Sequence, residues 1–178
     1  MASTYSTSLK IQLIGTGEQS GVWGTTTNTN WNLIEQAVAG VQPITMINAD
    51  YTLTDLNGVS DEARNAVLVV TGTNSASRKI VAPLANKVYL VYNNTTGGYA
   101  ITIGGSTGST VTIPNGITTT VYCDGTNFNS GLSGTGNNNF TASAFYGAGT
   151  GLTGTASGLA SGALAGGAAN KIPYQTGS

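Results

Sequence analysis

Seven carboxylates, Glu18, Glu35, Asp50, Asp55, Asp61, Glu62 and Asp124, and one thiol, Cys123, are the side chains of this 178-residue sequence best suited to acid–base or nucleophilic chemistry. Histidine is absent, which removes Ser-His-Asp and Cys-His relays and any His-ligated metal. Glycoside hydrolysis needs two carboxylates facing each other across a cleft. Asp50 and Asp55 flank an expected strand, Tyr51 to Thr54, and Asp61 and Glu62 stand in a turn before Arg64. The plainer expectation for all four is a set of solvated turn acids. Asp55, Asn57 and Asp61 would give hard oxygen ligands from one loop, as calcium prefers, but the glycine and closing glutamate of an EF-hand are missing. A lone cysteine forms neither an intrachain disulfide nor a zinc site; Cys123 reads as a buried, inert thiol near a strand end.

Two glycine clusters resemble phosphate-binding loops. Gly15 to Gly21 follows a strand pattern, but its spacing is G-x-G-x-x-x-G and no βαβ unit follows. Gly149 to Gly154 matches G-x-G-x-x-G inside a tract so rich in glycine that such matches arise by chance. The expectation is a protein that is not an enzyme and holds no cofactor and no metal.

Composition narrows the partners. Six Lys or Arg and seven Asp or Glu make the chain 7% charged with a net charge of −1, against about 25% charged in ordinary domains. No basic face is available for phosphates, so no nucleic acid is expected. No run of about 20 apolar residues occurs, so no membrane insertion is expected, and the start, MASTYSTSLKIQLIG, lacks the pattern of a secretory signal. A polar, uncharged chain rich in Gly, Thr, Ser and Asn suggests an extended β-structured assembly. Of the eight tyrosines, Tyr89 and Tyr92 fall on opposite faces of one strand, where an exposed ring could stack on a sugar or stand at a wet rim.

The elements that would position these residues follow from hydrophobic periodicity. Residues 7–14 alternate, with Leu9, Ile11 and Leu13 on one face, and predict a short strand. Residues 15–29 predict a loop. Thr29 or Asn30 is a suitable N-cap for a helix of about nine residues carrying Trp31, Leu33, Ile34, Ala37 and Val38 at helical spacing, stopped at Gly40. Apolar runs at 44–47, 66–70, 79–84, 87–92, 100–103, 110–113 and 118–123, separated by Gly, Asn and Pro turn signals, predict an antiparallel β-sandwich or small barrel. Residues 131–169 are almost entirely Gly, Ala, Ser, Thr and Asn with sparse leucines. One copy of that segment cannot bury enough apolar area to offset ordering entropy of about 1–2 kcal/mol per residue, so it reads as linker or as a strand ordered against other chains.

Residues 8–40, SLKIQLIGTGEQSGVWGTTTNTNWNLIEQAVAG, resemble the N-terminal segment of tail fibre proteins of tailed bacteriophages, those of cyanobacterial and marine phages especially. NFTASAFYGAGTGLTGTA at 139–156 and AANKIPYQTGS at 168–178 are similar to phrases where such fibres enter a repetitive shaft. The resemblance implies a homotrimer in the virion, fixed by its N-terminal end to a tail tube, nozzle, adaptor or baseplate protein, with host-receptor binding by its distal part. The expected organisation is an attachment segment at 1–42, a β-domain at 43–131 and the start of an intertwined trimeric shaft at 132–178. The expected attachment or trimer interface is Trp23, Trp31, Leu33, Ile34 and Val38, since large aromatics often dominate interfaces. Two other expectations stand beside it: the tryptophans pack on the chain's own β-domain, or the β-domain is a carbohydrate-binding module that contacts host glycans directly.

Overall fold

The computed structural model describes residues 2–131, and the shaft expected at 132–178 lies outside the described residues. The chain begins with a small antiparallel ribbon, β1 (Thr4–Tyr5) and β2 (Gln12–Leu13), followed by one helix, α1 (Trp23–Ala39). Nine strands come next: β3 (Val41–Met46), β4 (Tyr51–Thr52), β5 (Val67–Gly72), β6 (Arg78–Val81), β7 (Lys87–Asn93), β8 (Ile101–Gly104), β9 (Thr110–Ile113), β10 (Thr118–Cys123) and β11 (Phe128–Ser130). They form a five-stranded sheet of order β11-β10-β7-β5-β3 and a four-stranded sheet of order β4-β6-β8-β9, neither of them closed into a barrel.

The sheets are mixed, which corrects the expected antiparallel arrangement. From β3 to β8 successive strands alternate between the two sheets, so each strand lies beside the one two places earlier and runs parallel to it. Parallel neighbours need a long crossover, and here the crossover is a strand of the opposite sheet. In the last two of these four pairings the spacing is the same: Val67 pairs with Leu90 and Ile80 with Ile103, each partner 23 positions further on. Hairpins end it. β9 turns back on β8, β10 runs antiparallel to β7, and β11 folds back on β10. In the last turn Asp124 accepts the backbone N–H groups of Thr126 (2.9 Å) and Asn127 (2.7 Å), an Asx turn. Those amides hold its carboxyl below the usual range.

One core lies between the sheets. Leu68, Val70, Tyr89, Val91 and Val121 meet Ile80, Ile101, Ile103 and Ile113, all at 0% exposure, and each such side chain contributes about 1.5–3 kcal/mol. Tyr89 stacks on Phe128 with ring centroids 6.3 Å apart. Gly72, where β5 leaves its sheet, has φ +98°, and a Cβ there would stand 2.1 Å from the Met46 carbonyl oxygen; only glycine fits.

Three local expectations also change. The strand expected over 7–14 shrinks to Gln12–Leu13, and Leu13 and Ile14 are exposed. The helix starts at Trp23, six or seven residues before the expected cap at Thr29 or Asn30, and runs for 17 residues with no side-chain cap bond at Val22. Asn30 is a mid-helix clamp: its Oδ1 accepts Gln12 N–H at 3.0 Å and its Nδ2 donates to Gln12 O at 2.7 Å. A second tie, between Thr26 Oγ1 and Gln19 Oε1, also falls in the Gly- and Thr-rich first half. Such tertiary contacts override weak helix propensity. The boundary expected between residues 42 and 43 falls inside β3.

Candidate functional site

The ionisable residues are built into the fold as structural ties. Asp61 and Arg64 form an ion pair at 2.9 Å with side chains 1% and 2% exposed, so Asp61 is not a solvated turn acid. Asp61 also accepts Leu56 N–H (2.8 Å) and Arg64 N–H (2.7 Å). The Arg64 guanidinium donates to the carbonyls of Leu9 (2.8 Å), Leu56 (2.8 Å) and Val59 and reaches the Gln36 side chain. Gln36 in turn donates to Asp61 O and Ser60 Oγ, both at 2.9 Å. The loop between β4 and β5 thereby joins the N-terminal segment, α1 and the β-sheets in one polar knot.

Lys87 closes the knot from below. Its ammonium donates to the carbonyls of Ala63 (2.8 Å), Arg64 and Asn65 (2.8 Å) and lies 4.5 Å from the centre of the Tyr89 ring. Burial lowers its pKa to about 8, opposed by nearby Asp61 and assisted by Arg64. Glu62 accepts Tyr51 O–H (2.6 Å) and Thr54 N–H (2.9 Å), and its bond and charge, with burial, raise the tyrosine's pKa. Asp50 accepts Lys79 N–H at 2.8 Å, and Asp55 stands 4.0 Å from Lys10.

A calcium site at Asp55, Asn57 and Asp61 is not assembled, because Asp61 is committed to Arg64. Among the described residues no group of three His, Cys, Asp or Glu side chains could hold a metal. An open depression of about 290 Å³ between Thr52, Val81, Leu84 and Ser106 has Asp55 as its single carboxylate, which does not meet the two-carboxylate requirement of a glycosidase. Cys123 is buried at the end of β10.

The surface that stands out is apolar. At about 100° per residue, Trp23, Ile34, Trp31 and Val38 fall within roughly 80° of one another on α1. Trp23 and Trp31 are each 63% exposed and Val38 75%, while Ile34 is half-buried. Leu33 points the other way and is buried at 3%, so the five residues expected to act together divide into an outward four and one that secures the helix. Neither tryptophan is buried on the β-sheets.

The second apolar surface escaped the sequence reading. On the outer face of the five-stranded sheet, Val41, Val67 and Leu90 align across β3, β5 and β7, Pro43, Val69 and Tyr92 form the next row, and Val88 faces Tyr122 of β10, with Thr45, Thr71, Thr118 and Thr120 at the borders of this patch. Val41 and Val88 are 60% exposed. The five strands contain one charged side chain, Lys87, and it is turned inward to the knot. The signal was present: VLVV and VYLVY are continuous apolar runs, the pattern of strands covered on both faces. The outer face of the four-stranded sheet carries Thr52, Lys79, Val81, Thr102, Thr110 and Thr112, with alternating burial in β9.

The described residues include no helix long and apolar enough to cross a membrane. No protein-family model, curated protein or solved structure matches the chain.

Proposed function

We propose that the chain is a structural attachment protein of a phage virion: the N-terminal part of a tail fibre, working as a homotrimer. In this reading it is fixed to a tail tube, nozzle, adaptor or baseplate protein, and its distal part serves host-receptor binding. The work is mechanical and involves no catalysis. The observation that carries the reading is the outward row Trp23, Ile34, Trp31 and Val38, which leaves two tryptophans mostly in water. Exposed aromatic rows of this kind mark interaction sites, and a fixed helix presents them at small entropic cost. The low charge of the chain and the resemblance of residues 8–40 to phage fibre segments supply the class.

A carbohydrate-binding module is less well supported. Tyr89 is fully buried, and the outward rings of Tyr92 and Tyr122 face Thr118 and Val88 across the sheet, not each other. The test is Trp31→Ala in the full chain. Self-association measured by sedimentation should weaken at least tenfold, about 1.4 kcal/mol, with unchanged far-ultraviolet circular dichroism. Association as tight as in the wild type would refute the role of this row in self-association.

A further inference from the structure

We infer that the two apolar surfaces are the two halves of one contact between copies of this chain: the α1 row of one copy lies across the outer face of the five-stranded sheet of the next. This deepens, and rests on, the reading of the chain as a self-assembling fibre protein.

The two surfaces share a lack of charge. α1 has one charged residue, Glu35, at the margin of its row, and the sheet's outer face has none. Neither surface can be matched by a charged partner without leaving that charge desolvated and unpaired. Their dimensions agree as well. A 17-residue helix is about 25 Å long, and five strands spaced by about 4.8 Å span roughly 19 Å, so the helix reaches across the face.

A chain cannot satisfy itself. Gly40 alone separates α1 from β3. A Cβ on it would stand 2.3 Å from both Asn65 Oδ1 and the Gln36 carbonyl oxygen, so the joint is closely packed. Asn30 and Gln36 clamp the helix to Gln12 and to the Ser60–Asp61 backbone and side chain. Both surfaces therefore remain open on one molecule. Pairing like with like, sheet on sheet or helix on helix, would cover one kind and leave the other in water. Helix on sheet covers both with a single kind of contact, and such a head-to-tail contact closes into a ring when its rotation is a whole fraction of a turn, one third for a trimer. Pro43 on edge strand β3 removes a backbone donor, which disfavours edge-to-edge pairing and leaves the faces as the means of association.

The area suffices. Two tryptophans at about 150–250 Å² each, largely exposed, with Ile34 and Val38 give a row of roughly 500 Å². One contact then removes about 1,000 Å² in total, the lower bound for a specific interface, and a ring uses two contacts per chain.

The experiment is a complementation by mixing full-length chains. Trp31→Glu spoils the helix row and leaves the sheet intact; Leu90→Glu does the reverse. Each variant alone should be monomeric in sedimentation, with wild-type circular dichroism. Mixed in equal amounts, they should form a heterodimer of twice the chain mass, since one intact helix row and one intact sheet face remain to meet. Should Leu90→Glu fail to fold, Val88→Glu takes its place. A mixture that stays monomeric, or a sheet variant that still assembles alone, overturns the inference while an oligomeric wild type leaves the fibre reading standing. A monomeric wild type removes both.

Discussion

The knot around Arg64 and the outer row of α1 invert the usual distribution of side chains. At the knot, Asp61 and Arg64 are almost wholly withdrawn from water and paired; on the helix, Trp23 and Trp31 are mostly in it. Burying charge is costly and is tolerated only when the hydrogen bonds are made, and exposing indole rings gives up hydrophobic stabilisation. The knot fixes where the helix points, and the helix surface is available for what it points at. Stability and association should therefore be separable by mutation.

The largest effect belongs to the knot. Arg64→Met leaves Asp61 buried without its partner, a loss of about 3–5 kcal/mol. That lowers the melting temperature by roughly 10 °C or more, read by thermal denaturation. A change of a degree or two would mean that the pair is not what ties the N-terminal segment to the sheets.

A smaller effect belongs to Lys87, on the floor of the same knot. Lys87 has a folded pKa of about 8, below its ordinary 10.5. Between those values the unfolded chain holds the proton and the folded chain has released it, so stability rises with pH in that window; the penalty of burying the ammonium is fully present below pH 8. The denaturation midpoint should be higher at pH 9.5 than at pH 7, and Lys87→Met should flatten the rise. A wild-type midpoint that falls over this range would contradict the assignment.

The smallest effect on stability is expected at the outer row. Trp31→Ala and Val38→Ala, measured under conditions where the chain is monomeric, should change the unfolding free energy by no more than about 0.5 kcal/mol. A loss of 2 kcal/mol or more would show that these side chains pack within their own chain, and the contrast between knot and row would disappear.

The strand positions were legible because apolar runs bounded by Gly, Asn and Pro carry their own limits: β9 and β10 coincide with the expected 110–113 and 118–123. Pairing was not legible. Periodicity records which face of a strand is buried but not which sheet the strand joins, and the alternation from β3 to β8 between sheets turned expected hairpins into parallel coils. The helix start was not legible because residues 23–29 are weak helix formers, and the bonds that tie the first half of the helix, Thr26 to Gln19 and Asn30 to Gln12, come from side chains and backbone outside it. Of the expected interface, the outward position of both tryptophans is where docking anchors would lie. Leu33 shares the apolar character and helical spacing of the other four, and that spacing alone does not say which side of the helix faces its own chain. The outer sheet face was overlooked because a continuous run such as VLVV is also what a fully buried core strand presents.

The central claim is that the apolar row and face meet on sister copies, and the mass of the full chain in solution tests it most directly. Sedimentation equilibrium at micromolar concentration should give three times the chain mass, with loss to single chains in Trp31→Glu. A wild-type chain that sediments at the mass of one copy across that range would contradict the account.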